Sequence, residues 1–332
     1  MSKNNLKLAG LFAGVGGIEL GFQNAGFKPV FANEIDSRAS ETYVLNHKHK
    51  MLTKDINELN SSEMPAINVL TGGFPCQAFS VAGYRKGFKD PRGNVFWEII
   101  RLLDQKKPEV VFLENVKNLS SHDRGKTFRV ILESLSEIGY YVKFAVLNAN
   151  EYGGVPQNRE RIYIVGFRTK KYYNNFSFPG PLKAKPKLQD FIDFDKKVSD
   201  DFYYEDKYMA KELRKSITRT DTVYQWRRHY VRENKNGLCP TLTANMGTGG
   251  HNVPLILSKF GIRKLTPREC FNLMGFPRSF KLPKNLANSH LYKQAGNAVV
   301  VGVIERIATN ILASLQNKPM PSVNLNQELT LL

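Results

Sequence analysis

Short apolar, β-branched runs recur through the first half of the chain, and segments of helical period separate them. The runs are Leu6 to Phe12, Pro29 to Ala32, Val69 to Thr71, Val110 to Leu113, Val142 to Leu147 and Arg161 to Phe167. Runs this short and apolar, alternating with helical segments, suit strands buried on both faces in a sheet covered by helices. Segments such as Val95 to Leu103 and Phe128 to Ile138 carry apolar residues three and four apart and read as those helices. The pattern predicts an α/β fold with a largely parallel sheet.

The rhythm stops after Phe167. The text turns rich in Tyr, Asn and Pro, with Pro179, Pro181 and Pro186 close together, and alternation does not return before about residue 260. A chain of 332 residues, 42% of them hydrophobic, has material for a large core and a second, smaller domain. The expected organisation is a first domain over 1–180, a smaller one over 181–260, a return to the first over 261–317 and a loose tail over 318–332. The return begins with a helix signal at Thr266-Pro267 and ends with a helix from Val299 to Leu315, whose Val300, Ile304, Ile307, Ile311 and Leu315 share a face.

The net charge of +18 attracts polyanions and makes nucleic acid the leading partner. Between Lys259 and Lys284 stand Lys259, Arg263, Lys264, Arg268, Arg278, Lys281 and Lys284 against a single acid, Glu269, which reads as a phosphate-contact stripe. Three scattered cysteines, Cys76, Cys239 and Cys270, form no disulfide framework and no Cys-x-x-Cys metal pair, so no metal is expected and a reducing cytoplasm is. The N-terminus lacks a signal-peptide pattern, and no run approaches membrane-spanning length.

Phe12-Ala13-Gly14-Val15-Gly16-Gly17 comes directly after the first strand and opens a helix, and Glu34 closes the second strand about twenty residues on. Glycines there let backbone approach a ligand, and the acid accepts both ribose hydroxyls. A nicotinamide fingerprint wants a third small residue where this chain has Glu19, so a pyrophosphate-free nucleoside fits better. Asp55, before Ile56 and after a third strand-like stretch, either accepts from an adenine amino group or caps a helix.

Gly72-Gly73-Phe74-Pro75-Cys76-Gln77 places Cys76 just past a strand, at the sheet edge where open α/β sheets bind ligands. A lone Cys is more often a buried small hydrophobe; the loop setting favours a reactive thiol. Glu114, in Glu114-Asn115-Val116, ends another strand, as a catalytic acid or a helix cap. Gln157, Arg159 and Arg161 alternate by two into a strand and share a face, suited to a carboxylate and a phosphate or simply to an exposed edge.

In order and spacing these motifs, with Thr241-Leu242 and Gly296-Asn297-Ala298, resemble those of the bacterial cytosine-C5 DNA methyltransferases of restriction-modification systems, over nearly the whole chain. The resemblance implies a mixed, Rossmann-like sheet with helices on both faces, S-adenosylmethionine as methyl donor, and a target-recognition domain. It makes Cys76 the nucleophile that adds to cytosine C6, Glu114 the acid beside N3, Arg159 the group orienting carboxylate and base oxygen, and Arg161 the holder of a flanking phosphate. Phe12, Gly14, Gly16, Gly17 and Pro75 line the cofactor site; Glu34 takes the ribose, Asp55 and Ile56 the adenine edge, Asn297 and Ala298 the amino-acid end. Ile35 stands where many relatives place an aromatic over adenine.

The target base must leave the helix for C6 to be attacked. Ala82 to Gly93, with Arg85, Lys86, Lys89 and Arg92, resembles the mobile loop that closes over DNA. Between about Lys183 and Lys259, Gln225, Arg227, Arg228 and Arg232 are candidate readers; Gln77, Gln157, Thr241, Leu242, Lys264 and Arg268 complete the expected DNA contacts. The implied setting is a monomer acting on double-stranded DNA in the cytoplasm, at the nucleoid, with a cognate restriction endonuclease as functional partner and no membrane. A transfer-RNA methyltransferase shares the chemistry, but the recognition region is large; a catalytically dead relative sits poorly with Cys76, Glu114 and Arg159 intact; a nicotinamide oxidoreductase leaves the Cys76 motif without a role.

Overall fold

The computed structural model describes residues 6–74, 95–204, 210–227, 230–247 and 253–318. They form two compact units. The first takes in the chain up to Leu147, then Glu160–Gly180 and the chain from Ile304; the second takes Asn148–Arg159 and Pro181–Val303. The second unit is therefore longer than the expected 181–260, and the return to the first begins at Ile304. The reason lies in packing: the strand Gly261–Lys264 pairs with Leu255–Ser258, and the helices Pro267–Leu273 and Asn288–Asn297 pack on each other within the second unit.

The first unit is built on seven strands: β1 (Lys7–Leu11), β2 (Lys28–Glu34), β3 (Lys50–Thr53), β4 (Val69–Gly73), β5 (Val110–Val116), β6 (Tyr141–Asn148) and β7 (Glu160–Phe167), in the order β3-β2-β1-β4-β5-β7-β6. β1, β2, β3, β4 and β5 run parallel, whereas β7 runs antiparallel to β5. Leu8, Phe31, Val69, Val110, Val111 and Phe112 are fully buried, as runs apolar on both faces require. The helices Val95–Lys106 and Lys126–Glu137 pack Phe96, Ile99, Leu103, Phe128, Ile131 and Leu135 into one core with Phe31 and Val111.

Register sets the site. Leu11 lies beside Asn33 on one side and Gly72 on the other, and Gly72 lies beside Leu113. The carboxyl ends of β1, β2, β4 and β5 thus finish together, and the loops leaving these four strands emerge along one edge.

The second unit contains an antiparallel sheet in the order β11-β10-β8-β9, with β8 (Tyr224–Arg227), β9 (Tyr230–Glu233), β10 (Leu255–Ser258) and β11 (Gly261–Lys264). Tyr204, Leu213, Ile217, Tyr224, Leu255 and Ile262 form its core. The helix Pro267–Leu273 starts where the sequence indicates, with Thr266 and Glu269 closing a reciprocal capping box.

Against expectation, one stretch among the described residues, Asn288–Leu315, is long and apolar enough by length and composition to cross a membrane. It is two helices, Asn288–Asn297 and Val301–Leu315, with Ala298 in extended backbone between them. The second is the expected apolar-faced helix, and its Val303, Ile304, Ile307 and Ile311 are fully buried, as in the core helix of a globular fold.

Candidate active site

The loop after β1 leaves regular backbone at once. Phe12 has φ 53°, Gly14 φ 55°, and Gly16, at φ 88°, caps the helix Gly17–Asn24 from the left-handed region. Left-handed backbone turns the chain tightly; a non-glycine residue there, such as Phe12, is strained and calls for a functional reason. Among the described residues, nothing lies within 4 Å of where a Gly14 Cβ would stand, which leaves the loop open there. Glu34, at the end of β2, accepts from Gly14 N at 2.8 Å through Oε2 and from Ile35 N and Asp36 N at 2.9 Å through Oε1. A carboxylate offers about four acceptor positions. One bond fixes the glycine loop and two fix the turn after β2, and the carboxylate keeps acceptor capacity for a ligand hydroxyl. Ile35 next to it is 63% exposed, a large apolar side chain in search of cover.

Asp55 caps the short 3-10 turn Ile56–Glu58, with Oδ1 accepting from Asn57 N at 2.9 Å and Asn57 Nδ2 at 2.8 Å. Its cap role is therefore real, and both bonds fall on one oxygen. The Ile56 side chain is buried in the hydrophobic core, which corrects its expected place at the cofactor: only its backbone can serve there.

Pro75, Cys76, Gln77 and Arg85, with the rest of the Ala82 to Gly93 loop, lie outside the described residues, as does Arg228. The approach to Cys76 is described as far as Phe74. Its carbonyl accepts from Asn115 Nδ2 at 2.8 Å, a buried bond that ties the chain two residues before Cys76 to the end of β5. Asn115 had no assigned role in the sequence reading, although alternation along β5 puts it on the face opposite Glu114.

Glu114 is 9% exposed, and Arg161 Nε lies 3.2 Å from its Oε1. Glu114 Oε2 would be 3.4 Å from a Cβ on Gly73, so the end of β4 passes close to the carboxylate. Arg161 is thus a partner of Glu114. β7 starts at Glu160, so Arg161 lies on the strand and Arg159 precedes it. Arg159 belongs to the second unit, where its guanidinium donates to Leu242 O (2.7 Å), Gly296 O (3.0 Å) and Ala298 O (2.7 Å).

Gln157 and Leu242, expected at DNA, are also buried. Gln157 Nε2 donates to Leu273 O at 2.8 Å, and its Oε1 accepts from Leu242 N at 3.1 Å. A side chain with no exposed surface and both ends of its amide engaged is internal structure. Thr241 Oγ1 donates to Asn158 O at 2.6 Å. A Cβ on Gly296 would meet Thr243 and Ala244 backbone at 2.2–2.4 Å, so only glycine allows this approach. Three motifs distant in sequence thus form one cross-braced cradle, from which Asn297 emerges exposed while Ala298 stays buried.

On the hairpin β8–β9, Gln225 pairs with Arg232 and Arg227 with Tyr230, so these four share one face. Arg227, Tyr230 and Arg232 are exposed, and Arg227 Nη2 donates to Gln225 Oε1 at 3.2 Å. The opposite face, with Tyr224, Trp226 and Val231, packs on the unit's core. Gln225, Arg227 and Arg232 line a cleft of about 660 Å³ with Asn158, Thr241 and Asn245. The expected basic stripe is not continuous. Arg263 is fully buried in a two-point ion pair with Glu269, at 2.7 and 2.9 Å, which removes it from any phosphate. Lys264 and Arg268 are half-buried: the Lys264 ammonium lies 5.6 Å from the Phe202 ring centroid, and Arg268 donates to Phe280 O. Lys259, Arg278, Lys281 and Lys284 are exposed.

Residues 6–313 match the family model described as C-5 cytosine-specific DNA methylase. Relatives include the Type II methyltransferase M.Bsp6I of Bacillus sp. (strain RFL6), 57% identical over 314 residues, with 93% of this chain and 99% of that protein covered. The Type II methyltransferase M.HhaI of Haemophilus parahaemolyticus is 39% identical, with 95% and 96% covered. Among solved structures, a putative DNA modification methyltransferase from an Escherichia coli prophage superposes with a TM-score of 0.71 at 22% identity, covering 94% of this chain and 99% of that one. A mutant of Spodoptera frugiperda DNMT2 gives 0.70 at 21%, covering 92% and 99%. Identities that low establish the shared fold, and the family model with the relatives establishes more: the chain belongs to the C-5 cytosine-specific DNA methylase family and is a DNA cytosine-5 methyltransferase.

Proposed function

We propose that the protein transfers a methyl group from S-adenosylmethionine to C5 of a cytosine flipped out of duplex DNA, with Cys76 as covalent nucleophile. The observation that carries this reading is the common ending of β1, β2, β4 and β5. It sets the glycine loop, Glu34, the Phe74 approach to Cys76 and the Glu114–Arg161 pair along one sheet edge.

The open face at Gly14, the anchored Glu34 carboxylate and the exposed Ile35 fit a nucleoside. S-adenosylmethionine, when bound there, supplies an electrophilic methyl group. The chain's own residues do the rest. Cytosine C5 is too weak a nucleophile to take a methyl group unaided, so the Cys76 thiolate adds to C6. Glu114 shares a proton with N3 and offsets the charge that builds on the ring. Arg161 holds the Glu114 carboxylate in place and reaches the base oxygen, the role first given to Arg159. Arg159 acts at one remove, by fixing the turn that presents Asn297. After transfer the C5 proton leaves to a base, the Cys76–C6 bond breaks and the thiolate is regenerated.

Recognition is assigned to the face of the β8–β9 hairpin carrying Gln225, Arg227 and Arg232. A two-stranded ribbon fits the major groove, where an arginine binds guanine through two bonds. Lys264 and Arg268, with exposed Lys259, Arg278, Lys281 and Lys284, meet phosphates. The biological reading is a cytoplasmic, monomeric enzyme whose methylation protects host DNA from a companion endonuclease. The relatives' names as Type II methyltransferases support the restriction-modification part of this reading.

The test is covalent trapping. Duplex DNA with 5-fluorocytosine at the target has no C5 proton to lose, so it stays attached to the protein in the presence of cofactor. Cys76→Ala abolishes the adduct; an adduct that persists in this variant overturns the assignment.

A further inference from the structure

Behind the cofactor loop lies a group of titratable side chains that the reaction does not use. Glu19, in the first turn of Gly17–Asn24, is 1% exposed. Apart from its own backbone N–H, neither of its carboxyl oxygens has a hydrogen-bonding neighbour among the described residues. Its Oε1 stands 1.7 Å from where a Gly10 Cβ would be, so the carboxyl fills the space that β1 leaves empty. His47, after the helix Ser37–Asn46, does the same to the loop: its Nε2 stands 2.1 Å from where a Gly16 Cβ would be. The Val15 backbone lies within hydrogen-bonding reach of the His47 ring, while Nε2 itself is buried without a partner among the described residues. The ring stacks at a tilt on Tyr43, with centroids 4.3 Å apart, and Tyr43 Oη lies 2.5 Å from His49 Nε2.

We propose that Glu19 and His47 are positioning residues that hold the cofactor loop from behind in their uncharged forms, so that a charge on either loosens the nucleoside site without touching the nucleoside. An unpaired charge in such a place draws in water or moves out. His47 meets the loop itself at Val15 and Gly16, while Glu19 packs on Gly10 of β1, the strand that leads into the loop. Among the described residues, the groups facing them add no counter-charge. Tyr43 and His49 come from the second helix and the chain beyond it, and Glu34 from β2 opposes a second negative charge at Glu19. Burial pushes the Glu19 carboxyl up to about 8 and the His47 imidazole down to about 4, so both are uncharged at neutral pH. Cofactor affinity therefore has an alkaline limb owned by Glu19 and an acid limb owned by His47.

This rests on the nucleoside site proposed above, which has its own control: S-adenosylhomocysteine binding at neutral pH that is lost in Glu34→Gln. The limb is measured by titration calorimetry on the full chain without DNA, from about pH 6 to about pH 9.5. The probes are S-adenosylhomocysteine and 5′-methylthioadenosine, which lacks the amino-acid end and so carries no α-amino group that titrates in this range. For both, wild-type affinity falls by up to about tenfold per pH unit above the limb. In Glu19→Gln, which is uncharged at every pH, the fall disappears; in His47→Gln the alkaline limb remains. Flat wild-type affinity for methylthioadenosine across the range overturns the proposal whether or not the variants fold, and so does an alkaline limb that Glu19→Gln retains.

Discussion

Arg161 Nε lies 3.2 Å from Glu114 Oε1, and the antiparallel pairing of β5 with β7 creates that contact. Glu114 stands opposite Tyr163 and Val116 opposite Arg161. Two residues along each strand bring a side chain back to the same face, so Arg161 lies diagonal to Glu114, within reach of a long side chain. Arg159 precedes the strand, which starts at Glu160.

Replacing Glu114 by Gln keeps the shape and removes the titratable proton; turnover is expected to fall by about a hundredfold or more, with cofactor affinity little changed. Arg161→Lys keeps the charge but loses the planar fork, and is expected to cost about tenfold or more in kcat. Single-turnover methylation with each variant measures both. Full turnover in Glu114→Gln reduces the carboxylate to a structural group.

Arg159→Ala removes three hydrogen bonds from a buried guanidinium and leaves the carbonyls of Leu242, Gly296 and Ala298 without that donor. Charge-assisted bonds of this kind are worth about 1.5–3 kcal/mol each before relaxation, so a lower melting temperature is expected together with weaker cofactor binding through Asn297. Thermal unfolding and calorimetry report the two effects. An Arg159→Ala protein of unchanged stability that has lost only catalysis restores Arg159 to direct contact with the base.

Arg227→Ala and Lys264→Ala separate reading from holding. The first is expected to relax discrimination at one base pair by about 1–3 kcal/mol, and the second to weaken all DNA alike and lower the salt slope by about one. Bisulfite sequencing of a randomised library, with binding measured across salt concentrations, distinguishes them. Arg263→Ala instead lowers stability, because it strands Glu269 in the interior. A selective loss of cognate binding in Lys264→Ala contradicts the phosphate role.

The Glu19 carboxyl also sets a stability profile. Its folded value of about 8 stands above the ordinary 4.5, so folding favours the protonated form. That contribution is complete below about pH 4.5 and is lost as pH rises towards 8. Glu19→Gln is therefore expected to melt a few degrees above wild type near pH 9 and close to it near pH 4.5. A difference that does not vary with pH assigns Glu19 to packing alone.

The sequence by itself determined the α/β class, the position of each main strand and the loop chemistry at its end, because burial on both faces imposes a local pattern that any window of residues carries. It also carried the family motifs, since reactive groups must occur as particular residues in a particular order. Which arginine meets Glu114, and which basic residues face solvent, only the tertiary structure decided. Arg159 and Arg161, or Arg263 and Lys264, are alike in the text, and their roles come from strand register and from carbonyls and carboxylates supplied by residues far away in the chain. The same holds for Gly10 and Gly16. Glycine marks a place where a side chain is excluded, but that Glu19 and His47 fill those places is a fact of packing between helices and strands, which no local pattern records.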